Sequence, residues 1–300
     1  MSLIFIFVDG IGMGSKSRFN PFTQHRWPFF EEVTNGQGMH NDAQPVLGEG
    51  FLYTSVDANL GIGGLPQSGT GQASLFSGQN ASKLAGKHFG PFPHSATYTL
   101  LEEQSLFHQL IKAGKKPHFI NAYPDRFFEH MQRRNRWTCT TLMASAAGQK
   151  LNGLQDVKNG DSLTAEITQE AWRNRLGLDV DRIEPEAAAE RLLRAAERYD
   201  LVLYEYYLTD KAGHAMDMEM SQTVLGTLDR FLTELLRMKP DDTALLLCSD
   251  HGNLEDLSVK THTRNPVPLI FHGSGLAPGR MPESITDVSG LILEWLAGKP

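Results

Sequence analysis

Cysteine is nearly absent. The 300 residues contain only Cys139 and Cys248, far apart and without the spacing of a metal knot, which excludes a disulfide scaffold or a zinc ribbon. A reducing, cytoplasmic setting is the expectation. Long apolar runs are missing as well, and no stretch approaches the length needed to cross a membrane. The opening MSLIFIFVDG has no basic n-region, its apolar run is short, and it ends on an acid rather than on small residues. It reads as a buried first strand, not as a secretory leader. Nor is there a basic excess. Against 28 Lys and Arg stand 35 Asp and Glu, a formal charge of −7, which argues against a nucleic-acid partner. Internal repeats, low-complexity tracts and linkers rich in Pro, Gly and Ser are all lacking.

What remains is a chain long enough to bury a substantial core. Short, β-rich, unalternating apolar runs at Leu3–Val8, Leu201–Tyr207, Ala244–Cys248 and Val267–Phe271 predict strands covered on both faces. His118–Asn121 predicts another. Amphipathic patterns at Ser105–Ala113, Pro185–Arg198, Ser221–Met238 and Ser284–Leu296 predict helices between and after them. This alternation predicts an α/β fold, a doubly wound, mostly parallel sheet spanning residues 1–300 as one domain. From Asp125 to Asp200 the chain is polar, with the basic stretch Arg133–Arg136, and reads as a small inserted lobe or an elaborated crossover.

Metal-ligand residue types follow several of these strands. Val8 is followed by Asp9-Gly10-Ile11-Gly12, the strand ending near Tyr207 by Asp210-Lys211-Ala212-Gly213-His214, and Cys248 by Ser249-Asp250-His251-Gly252-Asn253. Open α/β sheets bind ligands at the carboxyl ends of their strands. A fourth piece, His262-Thr263-Arg264-Asn265-Pro266, lies before a strand rather than after one. Taken singly, Asp9 reads equally as a turn cap, Asp210 and His214 as a solvated helix face, Asp250-His251 as a buried ion pair, and His262 as a loop histidine. Together, three Asp and three His are what two borderline divalent ions need. Two such ions roughly 4 Å apart clamp the attacking and leaving oxygens of an in-line displacement. A glycine-rich segment, Gly61 to Gln72, runs into a helical pattern beginning near Thr70. A hydroxyl there sits among free backbone N–H groups that favour a phosphate. Ser68 or Thr70 as a plain helix cap is the alternative.

These pieces, in this order, resemble the alkaline phosphatase superfamily, and within it the branch of cofactor-independent phosphoglycerate mutase and phosphopentomutase. The shared motifs are Asp-Gly-x-Gly, a Gly-Leu-Pro segment leading to the nucleophile, Asp-x-x-x-His, Asp-His-Gly-Asn at Asp250–Asn253, and His-Thr-x-Asn-Pro-Val-Pro at His262–Pro268. They cover roughly the first ninety and the last hundred residues of the chain. The resemblance implies an alkaline-phosphatase-like fold and two metal ions, zinc or manganese. It assigns Asp210, His214 and His262 to one ion, and Asp9, Asp250 and His251 to the other. Carried over through Leu75, it puts Thr70 on the nucleophile, touching the second ion, and implies a phosphothreonine intermediate.

The mutases carry large inserted domains that close over the substrate. The unmatched middle of this chain leaves little for such a cap, so phosphohydrolase, on a monoester or diester, is the expected activity. A phosphomutase acting on a small sugar or glycerate phosphate is the alternative. A metal-binding sensor or partner protein without turnover is the alternative of another class. Arg264 is the first candidate to grip the phosphate of a small phosphorylated substrate, then Lys87 and His88, with Arg126, Arg133, Arg134 and Arg136 behind them. No Cys/Ser-x-Pro-x-Arg motif of the sulfatases is present. Natural substrate, oligomeric state and choice of metal are not written in these motifs.

Overall fold

Alternate residues of each apolar run must bury on opposite faces of a sheet, and both faces are covered here. In the computed structural model, which describes all residues except 135, 277–279 and 299–300, seven strands form one sheet. They are β1 (Ser2–Val8), β2 (Val46–Gly48), β3 (Phe51–Val56), β4 (Pro117–Phe119), β5 (Leu201–Tyr206), β6 (Thr243–Cys248) and β7 (Val267–His272). Their order is β2-β3-β7-β6-β1-β5-β4. The central β1 pairs in parallel with β5 and β6, and β4 with β5. β7 runs antiparallel to both β6 and β3, so only β7 and the short edge strand β2 oppose the common direction.

Odd-numbered residues of β1, Leu3, Phe5 and Phe7, pack under the helices Ser68–Ser77, Leu106–Lys112, Cys139–Ala146 and Asp287–Leu296. Even-numbered Ile4, Ile6 and Val8 pack under Pro28–Val33, Pro185–Ala196 and Met218–Met238. This is the expected doubly wound, mostly parallel α/β sheet. β2 and β3 were not foreseen. Phe51–Val56 mixes aromatic, hydroxyl and aliphatic residues and shows neither a continuous apolar run nor a clean alternation.

The middle of the chain divides. Cys139, Leu142, Met143 and Ala144 belong to the core on one sheet face, whereas helix Asp125–Arg134 buries none of its residues. A small separate cluster gathers Ala122, Val157, Trp172 and Val180. Among the described residues, no helix is long and apolar enough to cross a membrane.

One buried acid bears on stability. Helix Pro28–Val33 starts without a side-chain cap of its own. Asp229, on the long helix Met218–Met238, supplies one by accepting the Phe29 N–H at 3.0 Å. Burial pushes its carboxyl up to about 6, against the pull of the Phe29 and Phe30 N–H groups. The folded form therefore keeps a proton that the unfolded chain releases between about pH 4 and pH 6, and stability falls as pH rises through that window. Asp229→Asn, which keeps the accepting oxygen, should be more stable than wild type at pH 7.5 by roughly 1–2 kcal/mol. The two should converge near pH 4. Thermal melts at both pH values check this, and a constant gap would contradict it.

Candidate metal centre

Register brings the polar residues together. Val8 pairs with Tyr206 and Phe7 with Cys248, so the chain leaves β1, β5 and β6 at one edge of the sheet. β7 runs the other way, and Cys248 pairs with its Leu269. The segment before β7 therefore reaches the same edge. This is why His262, which precedes its strand, joins residues that follow theirs.

Helix Leu208–Ala215 begins just past β5 and sets Asp210 and His214 one turn apart. The His214 Nε2 lies 3.4 Å from Asp210 Oδ2. The His262 Nε2 lies 3.5 Å from Asp210 Oδ1 and 3.1 Å from His214 Nε2. His262 stacks on His251 with ring centres 3.8 Å apart. The His251 Nε2 is 3.3 Å from Asp9 Oδ1 and 3.6 Å from Asp250 Oδ2. Two triads result, Asp9–Asp250–His251 and Asp210–His251–His262, each with its donor atoms within 4.8 Å of one another.

Supporting contacts aim these donors. The Nδ1 of His214 faces the Lys260 carbonyl at 2.8 Å, and that of His262 the Pro66 carbonyl at 2.7 Å. A carbonyl there requires N–H at Nδ1, which leaves the Nε2 lone pair for the centre. Asn253 donates to Asp210 Oδ1 at 2.6 Å, and Gln72 to Asp9 Oδ2 at 3.4 Å. Neither role was legible in the sequence. For Gln72 a signal existed, because it lies one helical turn beyond Ser68.

The electrostatics are those of a cation site. Asp9 Oδ1 and Asp250 Oδ2 are buried without a hydrogen-bond partner. Burial first, then the charges of Asp250, Asp210 and Glu205, hold the Asp9 carboxyl well above the usual carboxylate range. Burial and then Asp210 do the same to Asp250. Burial, then His262, pushes His251 well below the ordinary histidine value. Behind them Glu205, accepting from the Thr140 hydroxyl at 2.7 Å, is raised by burial to about 7. Among the described residues no Lys or Arg pairs with Asp9, Asp210 or Asp250, whose ionic contacts are to histidines alone. Carboxylate and neutral imidazole donors with orphaned oxygens fit divalent ions, whose charge would restore the ionised carboxylates.

The hydroxyl beside this cluster is not the one expected. Helix Ser68–Ser77 is buried throughout. Gly71 lets it lie against Asp250, since a Cβ there would come within 2.9 Å of the Asp250 carbonyl oxygen. Ser68 Oγ is 2.9 Å from His251 Nε2. Thr70 is fully enclosed, and its Oγ1 accepts the Phe89 N–H at 3.1 Å and faces the Gln67 carbonyl at 3.4 Å. Two residues along an α-helix turn through about 200°, so Ser68 and Thr70 cannot face the same way. In this structure it is Ser68, not the expected Thr70, whose hydroxyl faces the cluster.

The expected phosphate-gripping residues lie at the rim, already engaged. Arg264 donates to the Gly64 carbonyl at 2.8 Å, tying the His262 segment to the glycine-rich loop. His88 has both ring nitrogens occupied, by the Ser82 hydroxyl at 3.1 Å and the Ile62 carbonyl at 3.3 Å. Lys87 lies over the Phe89 ring and Arg136 over that of Phe92.

Comparison with known proteins agrees with this architecture. Residues 1–298 match the family model described as the Metalloenzyme superfamily. The 2,3-bisphosphoglycerate-independent phosphoglycerate mutase 1 of Archaeoglobus fulgidus is 28% identical over 159 residues, 53% of this chain and 33% of the relative. The phosphopentomutase of Chromohalobacter salexigens is 38% identical over 95 residues, 31% of this chain and 22% of the relative. The chain thus spans a third or less of these curated relatives. The alkaline phosphatase of the Antarctic bacterium TAB5 superposes over 100% of this chain and 98% of its own, with TM-score 0.61 and 11% identity.

Reloading chelator-stripped protein with Zn²⁺ or Mn²⁺ should raise its unfolding midpoint. Linkage gives about 2.7 kcal/mol per site at free metal a hundredfold above Kd. Asp250→Asn should fold but lose most of that gain. Calorimetry with and without chelator measures it, and a midpoint indifferent to either ion would rule out the metal centre.

Proposed function

The chain belongs to the metalloenzyme superfamily, and on that footing we propose that it is a two-metal enzyme that hydrolyses a small phosphorylated substrate through a phosphoserine at Ser68. The observation that carries this reading is the 2.9 Å contact between Ser68 Oγ and His251 Nε2, at the first turn of a helix. Asp9, Asp250 and His251 would hold one ion and Asp210, His214 and His262 the other. Zinc and manganese both suit these donors. When bound, the ions would lower the pKa of the serine hydroxyl and offset the charge on the phosphoryl oxygens.

The protein's own part is positioning. Helix Ser68–Ser77 presents Ser68 Oγ from its N-terminal turn, where backbone N–H groups and the helix dipole favour a phosphate. Gln72 and Asn253 fix the carboxylates, and the carbonyls of Lys260 and Pro66 fix two imidazoles. Arg264 and Lys87 stand where they could meet the substrate. We read residues 125–200 as an elaborated crossover within one catalytic unit, and the two buried free thiols, Cys139 and Cys248, as suited to a reducing cytoplasm.

Hydrolysis, rather than return of the phosphoryl group to substrate, is supported by the exposure of the His214 side chain, 42%. Water reaches that half of the centre. Phosphomutase is the second reading, favoured by the names of the sequence relatives.

The decisive test is turnover of aryl phosphate mono- and diesters by metal-loaded protein, with a sugar-phosphate isomerisation assay alongside. Ser68→Ala should lose at least about 10³-fold in kcat while still binding metal. Thr70→Val should stay within about tenfold of wild type, at a stability cost of roughly 1–2 kcal/mol for two lost hydrogen bonds. The opposite pattern would return the nucleophile to Thr70. Isomerisation without phosphate release would replace the hydrolase by the mutase.

A further inference from the structure

Several residues shared by the motifs carry no ligand atom of either triad: Gly12, Gly252, Thr263 and Asn265. All four converge on Glu255, a carboxylate 1% exposed. Its Oε2 accepts the backbone N–H of Gly12 and that of Asn253, both at 2.8 Å. Its Oε1 accepts the Asn265 side-chain amide at 3.0 Å and the Thr263 hydroxyl. Among the described residues it has no Lys or Arg partner. A Cβ at Gly12 or at Gly252 would overlap the carboxylate, and one at Gly14 would come within 2.7 Å of its Cγ. The glycines therefore make room for Glu255 rather than for a ligand.

The four donors come from three chain segments, and each segment carries ligands. Gly12 follows Asp9 by three residues, Asn253 follows His251 by two, and Thr263 is next to His262. Further bonds close the knot: Leu254 N–H to the Gly10 carbonyl at 2.9 Å, Thr263 N–H to the Gly252 carbonyl at 2.9 Å, and Met13 N–H to the Pro266 carbonyl at 2.8 Å. Asp9 belongs to one triad, His262 to the other, and His251 to both.

We propose that Glu255 is a positioning residue that couples the two metal sites, by holding in one register the three segments from which both ions draw ligands. This rests on the two-metal reading above. Four donors on two oxygens need a carboxylate. In a glutamine, the NH₂ would face donors in place of one oxygen, leaving at least one of them buried and unpaired. Any of the three segments can then shift, and supporting groups of this kind change metal affinity by about 10–100-fold.

The experiment is calorimetric titration of metal-free protein with Zn²⁺, and separately with Mn²⁺. It compares wild type, Glu255→Gln and Asn265→Ala, with His214→Ala as the reference that identifies the binding step involving His262. Wild type should take up two equivalents. Glu255→Gln should weaken both steps at least about tenfold. Asn265→Ala, which removes one donor from the His262 segment alone, should weaken the His214-dependent step and leave the other within about twofold. A merely structural loss of stability would not separate the steps in this way. Folded Glu255→Gln with both affinities near wild type overturns the proposal, as does Asn265→Ala weakening both steps equally. If Glu255→Gln does not fold, Thr263→Val joins Asn265→Ala, and unchanged affinity in both has the same force. Failure of wild type to bind two ions would instead sink the two-metal reading itself.

Discussion

Burying like charges together is the constraint from which the rest of this structure follows. Asp9, Asp250 and Glu255 are each at most 8% exposed, with Asp210 and Glu205 close by, and no Lys or Arg among the described residues neutralises them. In a low-dielectric interior such a cluster is strongly unfavourable. It persists because each carboxylate is held by the fold rather than by a counter-charge. Parallel β1, β5 and β6 deliver three of them to one sheet edge, and backbone N–H groups, a threonine hydroxyl and amides fix their orientation. A protein arranged only for stability would not collect acids in this way. A centre that takes up divalent cations must, since its affinity comes from carboxyl groups for which the protein supplies no counter-charge of its own.

Close packing then explains the glycines. Gly71 lets the helix bearing Ser68 rest on the backbone of Asp250, while Gly12 and Gly252 admit the Glu255 carboxylate. In sequence these residues look like flexible loop elements flanking the acids. In the structure they are contact points where even a methyl group would displace a ligand-bearing segment. The rigidity of the centre therefore comes from residues that lack side chains as much as from those that coordinate.

Much of this was legible in the sequence because ligand chemistry is local. An acid or a histidine soon after a buried apolar run marks both the strand and its end, as Asp9 does after β1, Asp210 and His214 after β5, and Asp250 and His251 after β6, whereas His262 precedes β7. Telling which of the two hydroxyls faces the cluster needed angular information. Ser68 and Thr70 lie two apart, on opposite sides of a helix, and motif alignment alone fixes the position only if its register is right to the residue. The spacing from Ser68 to Gln72, one turn, carried that register. Glu255 was invisible for another reason: its partners, Gly12, Asn253, Thr263 and Asn265, are backbone or neutral groups scattered over some 250 residues, and no local pattern signals a carboxylate whose donors come from three loops. β3 escaped because a half-polar strand has no periodicity to read.

The two halves of the centre are not equivalent. Asp250 and His251 have no exposed side-chain surface, and Asp9 has little, whereas His214 is open to solvent. An ion held on the enclosed side would exchange slowly and sit against the serine. One held on the open side would meet substrate and water. On the proposed reading, such asymmetry would suit a division of labour in which the nucleophile is kept dry and the phosphoryl acceptor arrives from solvent. It also shows why a shared tether matters. His251 belongs to both triads and stacks on His262, so a fully buried imidazole helps set the position of a ligand on the more open side. Glu255 spans the same boundary through the backbone. On the proposed reading the open side takes its geometry from the closed one, so that substrate would be admitted without loosening the residues around the serine.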